Sequence, residues 1–297
     1  MKLCVTTCVD GPYQSYVPLW LYCLRRSYPE YGATVFVADA LRPDVKAALL
    51  PFAADKQVRI VEGEFDGYPT PHRYPAYYRF LLFTPARVQR YWKLYDAVYV
   101  TDGDLMIVRE DPPLVEQHCR HMVALNMNYS NVLRPLNKWK TETMTGLHFA
   151  TRDHMHFIGS MCEEYSQRFK KQGLAAIPGK WKIGDERLLY LIVADAMQDM
   201  PPHMTKDNRD SDDPANCDQP VFRPTHGLNA GTAIGGAAFD LTYDQGDWAH
   251  VRANAHRFAE MAGDPLFWQC WHVLDRRQRH ALARLTEAHG CKLKEPQ

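Results

Sequence analysis

Two periodicities alternate along the first hundred residues, and this alternation constrains the fold more than any other feature of the chain. Residues 2–8 form an apolar, β-branched run that stops at Gly11-Pro12, and residues 17–28 follow with apolar side chains at helical spacing. Residues 31–38 return to a strand pattern, 45–52 to a helical one after Pro43-Asp44, and 57–61 to a strand. Strands alternating with helices predict an α/β fold with a mostly parallel sheet covered by helices on both faces. Ligands are then expected outside the carboxyl ends of the strands.

The pattern continues beyond a Pro-rich loop. Residues 76–83 are aromatic and aliphatic, 88–94 lead into a compact strand over 96–100, and that strand stops at Thr101-Asp102-Gly103-Asp104 before a second run, 105–108. Further strands are expected at 122–127 and 145–150, a helix over 153–171 begun by Asp153, and another over 184–198. The stretch 201–220 is rich in Pro, Asp and Asn and reads as a loop, either a lid or a plain insertion. No repeat and no linker divides the chain, and 46% hydrophobic residues over 297 positions are ample for one large domain.

Lys plus Arg and Asp plus Glu are both 35, so the chain lacks the overall basic charge with which proteins grip nucleic acid. No run approaches the ~20 apolar residues of a membrane span, and the first residues lack the apolar core of a signal peptide. The eight cysteines contain no CxxC pair and read as reduced thiols. A cytoplasmic protein is expected.

Asp102-Gly103-Asp104 sets two carboxylates two residues apart at the end of a strand, with a glycine that permits close backbone approach. Hard oxygen ligands in that arrangement suit Mn²⁺ or Mg²⁺, which bridges carboxylates to the oxygens of a diphosphate. The plainer alternative is an Asp-Gly hairpin turn joining two strands. Asp210-Ser211-Asp212 has the same spacing but no strand before it.

In this order of elements the chain resembles nucleotide-sugar glycosyltransferases of the GT-A fold, most closely glycosyltransferase family 8, whose metal motif is Asp-x-Asp. The opening VTTCVDGPYQSYVPLWLYCLRRSYPEYGATVFVAD is similar to that family's first strand, nucleotide loop, helix and second strand. The resemblance places Thr6, Thr7, Asp10 and Tyr13 around the nucleobase and ribose. It implies that Arg79, in YPAYYRFLLF, lies near the donor and that Asp102, Gly103 and Asp104 form the metal turn. Asp185 and Glu186, in GDERLLYLIV, match the family's acidic helix start as candidate catalytic residues, and His226 matches the histidine that completes the metal site. Their plainer readings are a helix N-terminus for the acids and a structural role for the histidine.

The resemblance covers roughly residues 3–235 and departs from the family in two places. The C-terminal Lys-Pro-Trp is missing, which leaves Lys182, Arg209 or Arg223 as the cation for the diphosphate, and Met144 stands where the family has a sugar-contacting Asn. The resemblance implies a GT-A, Rossmann-like catalytic domain, set at 1–270 with a donor half at 1–110 and an acceptor half at 111–270, and the residue content of 271–297 reads as a basic helical tail. The implied activity is hexosyl transfer with retention from a nucleotide sugar, UDP-linked, to a glycan or lipid-linked acceptor in polysaccharide biosynthesis. Two rivals stay open: a sugar-nucleotide nucleotidyltransferase, and a non-catalytic module that binds a glycan or a partner. In the tail, Leu274, Leu282, Leu285 and Ala281 fall near one helical face beside basic residues, which suits peripheral docking on the inner face of a membrane or packing onto the domain.

Overall fold

The computed structural model of the chain describes residues 1–69, 75–109, 129–133, 143–176, 188–189, 191–192, 195–196, 198, 227–229, 248–288 and 290–295. The α/β expectation holds. A six-stranded sheet has the order β3-β2-β1-β4-β7-β6, and β5 (Leu105–Ile107) and β8 (Gly227–Asn229) form a separate pair. Strands β1 (Leu3–Val9), β2 (Gly32–Val37), β3 (Val58–Glu62) and β4 (Ala97–Thr101) run parallel. Strands β6 (Tyr129–Leu133) and β7 (Thr143–Thr151) extend the sheet beyond β4, with β7 antiparallel to both its neighbours.

Strand alternation divides the core in two. Leu3, Val5 and Val9 of β1, with Ala97 and Tyr99 of β4, face one side, where they meet helix α1 (Val17–Ser27) and α2 (Pro43–Ala48). Cys4, Cys8, Val98 and Val100 face the other side, against Phe80, Leu82 and helix α3 (Arg152–Gln172). The α3 helix starts one residue earlier than expected, because Thr151 is its cap and accepts from the His154 amide at 3.3 Å. Asp153 sits in the first turn, where its charge favours the helix dipole. Six cysteines among the described residues are buried thiols, and burial pushes Cys4 up to about 12.

Near the C-terminus come α4 (Trp248–Met261), α5 (Pro265–Val273) and α6 (Arg276–Ala288). Leu274, Ala281 and Leu282, the residues suited to a membrane face, are instead buried, and Leu274 and Leu282 join the same cluster as Leu3 and Val5. That face is occupied by the domain, the second of the two coverings expected for it, and α6 packs into the core. The Leu285 side chain lies outside the described residues. No helix among the described residues is long and apolar enough to cross a membrane.

Gly32 opens β2 beneath the ring of Tyr95. A methyl group added at Gly32 would overlap the Tyr95 hydroxyl oxygen and stand 2.5 Å from its Cζ. Gly32→Ala is therefore expected to cost about 1–3 kcal/mol in urea denaturation through overpacking. Part of that loss should return in the Tyr95→Ala background, and an unchanged midpoint for Gly32→Ala would contradict the packing.

Candidate active site at the β1–β4 edge

Strand β1 pairs with β2 on one side and β4 on the other, with Thr7 opposite both Val35 and Thr101. The chain leaves β1 toward β2 and β3, then returns to β4 on the far side, so the order reverses between β1 and β4. The two loops that leave this reversal point lie side by side at the carboxyl edge of the sheet, where open α/β sheets bind ligands. One loop carries Asp10, Gly11 and Tyr13, and the other carries Asp102, Gly103 and Asp104.

Asp102 follows the last residue of β4, and alternation sends it to the side of Val98 and Val100, the side covered by residues 75–83. There Arg79 Nη1 donates to Asp102 Oδ1 in an ion pair. The guanidinium side chain is only 6% exposed and lies over the Phe80 ring at 5.0 Å, whereas the Asp102 side chain is 34% exposed. A charge removed from water needs such a partner. The pair gives Asp102 a fixed orientation while leaving part of its carboxylate toward solvent. The resemblance places Arg79 beside the donor and says nothing of this pairing; alternation along β4 gives the side Asp102 takes but not its partner.

Strands β4 and β5 (Leu105–Ile107) do not form a hairpin. The first belongs to the large sheet, whereas β5 pairs with β8 (Gly227–Asn229), Leu105 opposite Asn229 and Ile107 opposite Gly227. Between them the chain passes so close to β1 that a Cβ on Gly103 would stand 2.6 Å from Val9 Cγ1 and 3.6 Å from Thr7 Oγ1. Glycine is needed here for approach, and its absence of a side chain holds the acidic turn against the end of β1.

Asp104 is buried, and its charge reaches two tyrosines. Tyr13, 45% exposed, is pushed up to about 12, first by burial and then by Asp104, Asp102 and Asp10. Tyr16 is buried and pushed up further, by burial first and then by Asp104. Both phenols therefore stay neutral at physiological pH beside a concentration of negative charge. Asp102 and Asp104 bring two hard oxygen donors to this field, and no group of three or more His, Cys, Asp or Glu that could hold a metal ion occurs among the described residues.

The remaining expected residues divide by strand face. Thr7 points to the α1 side, where its buried hydroxyl has no hydrogen-bond partner among the described residues, whereas Thr6 points to the opposite side and donates to the Thr34 carbonyl at 2.8 Å. Thr6 is thus engaged in the sheet. Asp10 precedes a 3₁₀ turn, Gly11–Tyr16, that Asp39 holds by accepting from the Gly11 amide at 2.9 Å. Asp39 and Tyr16 were not singled out from sequence; the VFVAD segment contained Asp39, but nothing local marked its reach across to Gly11. The structure brings together Thr7, Asp10, Tyr13, Arg79, Asp102, Gly103 and Asp104. Asp185, Glu186 and His226 lie outside the described residues, as do Lys182, Arg209 and Arg223.

No family model matches this chain, and no curated protein matches it. Among solved structures it is similar to the apo glycosyltransferase GlyE of Streptococcus pneumoniae, at 10% identity and TM-score 0.41, over 66% of this chain and 44% of GlyE. It is also similar to an active-site mutant of LgtC, at 15% identity and TM-score 0.43, over 89% of this chain and 95% of that one. The galactosyltransferase LgtC has further been seen with donor and acceptor sugar analogues. A third similar structure is the bifunctional glycosyltransferase WbbM, at 11% identity and TM-score 0.38, over 65% of this chain and 37% of WbbM. The chain spans less than half the length of GlyE. These neighbours are glycosyltransferases; the α/β architecture of this chain stands on its own strand order and register.

Gly103→Ala should disturb the turn by forcing Val9 aside, at about 1–3 kcal/mol of stability. Val9→Ala in the same chain removes the obstructing methyl, so the double variant should be more stable than the two single losses added together. Strict additivity in denaturant titrations would show that the turn does not rest on β1.

Proposed function

We propose that this chain is a metal-dependent glycosyltransferase that moves a hexosyl group from a UDP-linked sugar to a hydroxyl of a glycan or lipid-linked acceptor, with retention of configuration. The observation that carries this reading is the Asp102-Gly103-Asp104 turn, pressed against the end of β1 at the point where strand order reverses, with Arg79 paired to its first carboxylate.

Asp102 and Asp104 are the residues that would hold Mn²⁺ or Mg²⁺. A cation there supplies Lewis-acid neutralisation of the charge on a departing nucleoside diphosphate. The protein's own groups do the rest. Arg79 fixes the Asp102 carboxylate, so little reorganisation is left for the moment of binding. Tyr13 offers an exposed, neutral ring on which a planar base stacks. The Thr7 hydroxyl, without a partner among the described residues, gains one when a ligand oxygen reaches the strand end. In this proposal His226 adds a nitrogen ligand, and Asp185 and Glu186 act at the reacting carbon and the acceptor hydroxyl. Those three assignments rest on sequence resemblance alone, as does retention; an inverting route would instead use one carboxylate as the base that deprotonates the acceptor. The proposed setting is the cytoplasm.

The test is a panel of UDP-, GDP-, CMP- and dTDP-sugars, each with and without Mn²⁺, read by melting temperature and by release of the nucleoside diphosphate. A UDP-sugar with Mn²⁺ should raise the melting temperature, and Asp104→Asn should lower kcat/KM by about 10²-fold or more. Product anomeric configuration by NMR then separates retention from inversion. Release of pyrophosphate from a nucleoside triphosphate and a sugar phosphate would instead identify a nucleotidyltransferase. A protein that no nucleotide sugar stabilises in either condition would leave the binding-module reading in place.

A further inference from the structure

The 3₁₀ turn Gly11–Tyr16 that presents Tyr13 is held from two directions. From the β2 side, Asp39 accepts from the Gly11 amide at 2.9 Å, Gln14 Nε2 donates to the Ala40 carbonyl at 2.9 Å, and Gln14 Oε1 accepts from the Arg42 amide at 2.9 Å. From the other side the holding group comes from the far end of the chain. Ser15 Oγ donates to Gln278 Oε1 at 2.6 Å, across 263 residues of sequence.

Gln278 belongs to the first turn of α6, where it and Asp275 form a reciprocal cap. Asp275 Oδ1 accepts from the Gln278 amide at 2.8 Å, and Gln278 Oε1 accepts from the Asp275 amide at 2.8 Å. The same Oε1 therefore serves two donors, the helix cap and Ser15. Ser15 is 1% exposed and Gln278 4%, so water does not readily replace either bond. The residues beside Ser15 are the ones that face the acidic turn. Tyr16 is buried within reach of the Asp104 charge, and Tyr13 leans on Tyr16 with ring centroids 5.7 Å apart.

We propose that Gln278 is a positioning residue for this turn, through which α6 fixes where Tyr13 and Tyr16 stand relative to Asp104. The assignment of a nucleotide to Tyr13 rests on the function proposed above, but the tie between α6 and the turn does not. Because both bonds end on the one oxygen, glutamate preserves both acceptors, whereas methionine keeps the length of the side chain and loses both.

The experiment measures amide hydrogen exchange over residues 11–16, together with UDP affinity in the presence of Mn²⁺. It compares the full chain with Gln278→Met, Gln278→Glu, Ser15→Ala and the Ser15→Ala, Gln278→Met double variant, all well below their melting temperatures. Exchange over 11–16 should quicken about tenfold in Gln278→Met and in Ser15→Ala, as expected for a lost buried hydrogen bond. It should quicken no further in the double variant and stay as in the wild type in Gln278→Glu, with the amides of β1 and β4 unchanged. UDP affinity should weaken about tenfold in the same two single variants and recover in Gln278→Glu. A purely structural role would lower the melting temperature and leave both readouts alone. Unchanged exchange over 11–16 in Gln278→Met, or additive effects of the two substitutions, overturns the proposal. A wild-type protein that binds no nucleotide would instead overturn the functional reading, and exchange alone would then decide the tie.

Discussion

The parallel pairing of β1 with β4, in the register that sets Thr7 against Thr101, is the constraint on which the site depends. Because β2 and β3 lie on the other side of β1, the loops after β1 and β4 leave the same edge in adjacent positions. Their nearness follows from backbone hydrogen bonding in the sheet, not from attraction between the loops themselves. Once the register is fixed, alternation assigns each side chain a direction: Thr7 and Thr101 toward α1, Asp102 toward Arg79. Trp20 of α1 secures that edge from below by donating to the Thr101 hydroxyl at 3.2 Å.

Charge is arranged around this edge at some cost in desolvation. Arg79 is nearly removed from water, and its pairing with Asp102 offsets a burial that would otherwise disfavour the guanidinium. The pairing also leaves the acidic turn less negative than its two carboxylates alone would make it. Asp104 remains as the buried charge that both Tyr13 and Tyr16 register.

Much of the donor-side architecture was legible in the sequence because its signals are local. Strands β1 to β4 and helix α1 fall within one or two residues of the expected positions, since β-branched runs and helical spacing are read over short windows. The acidic turn was legible for the same reason. What was not legible depends on distance along the chain. Nothing near Arg79 announces Asp102, nothing near Asp39 announces Gly11, and Ser15 and Gln278 meet only because α6 returns to the first strand's layer. The α6 helix shows the limit most plainly. Its apolar face was correctly visible, but an amphipathic pattern states only that a face will be covered, and here the domain core covers it.

Everything proposed for this edge turns on whether Asp102 and Asp104 hold a divalent ion, and Mn²⁺ binding followed by electron paramagnetic resonance in the presence of UDP tests that most directly. The wild-type chain should take up one equivalent of Mn²⁺, seen as loss of the free aqueous signal, and Asp104→Asn should leave that signal undiminished at the same concentrations. Equal uptake by the two proteins, or none by either, would contradict the account.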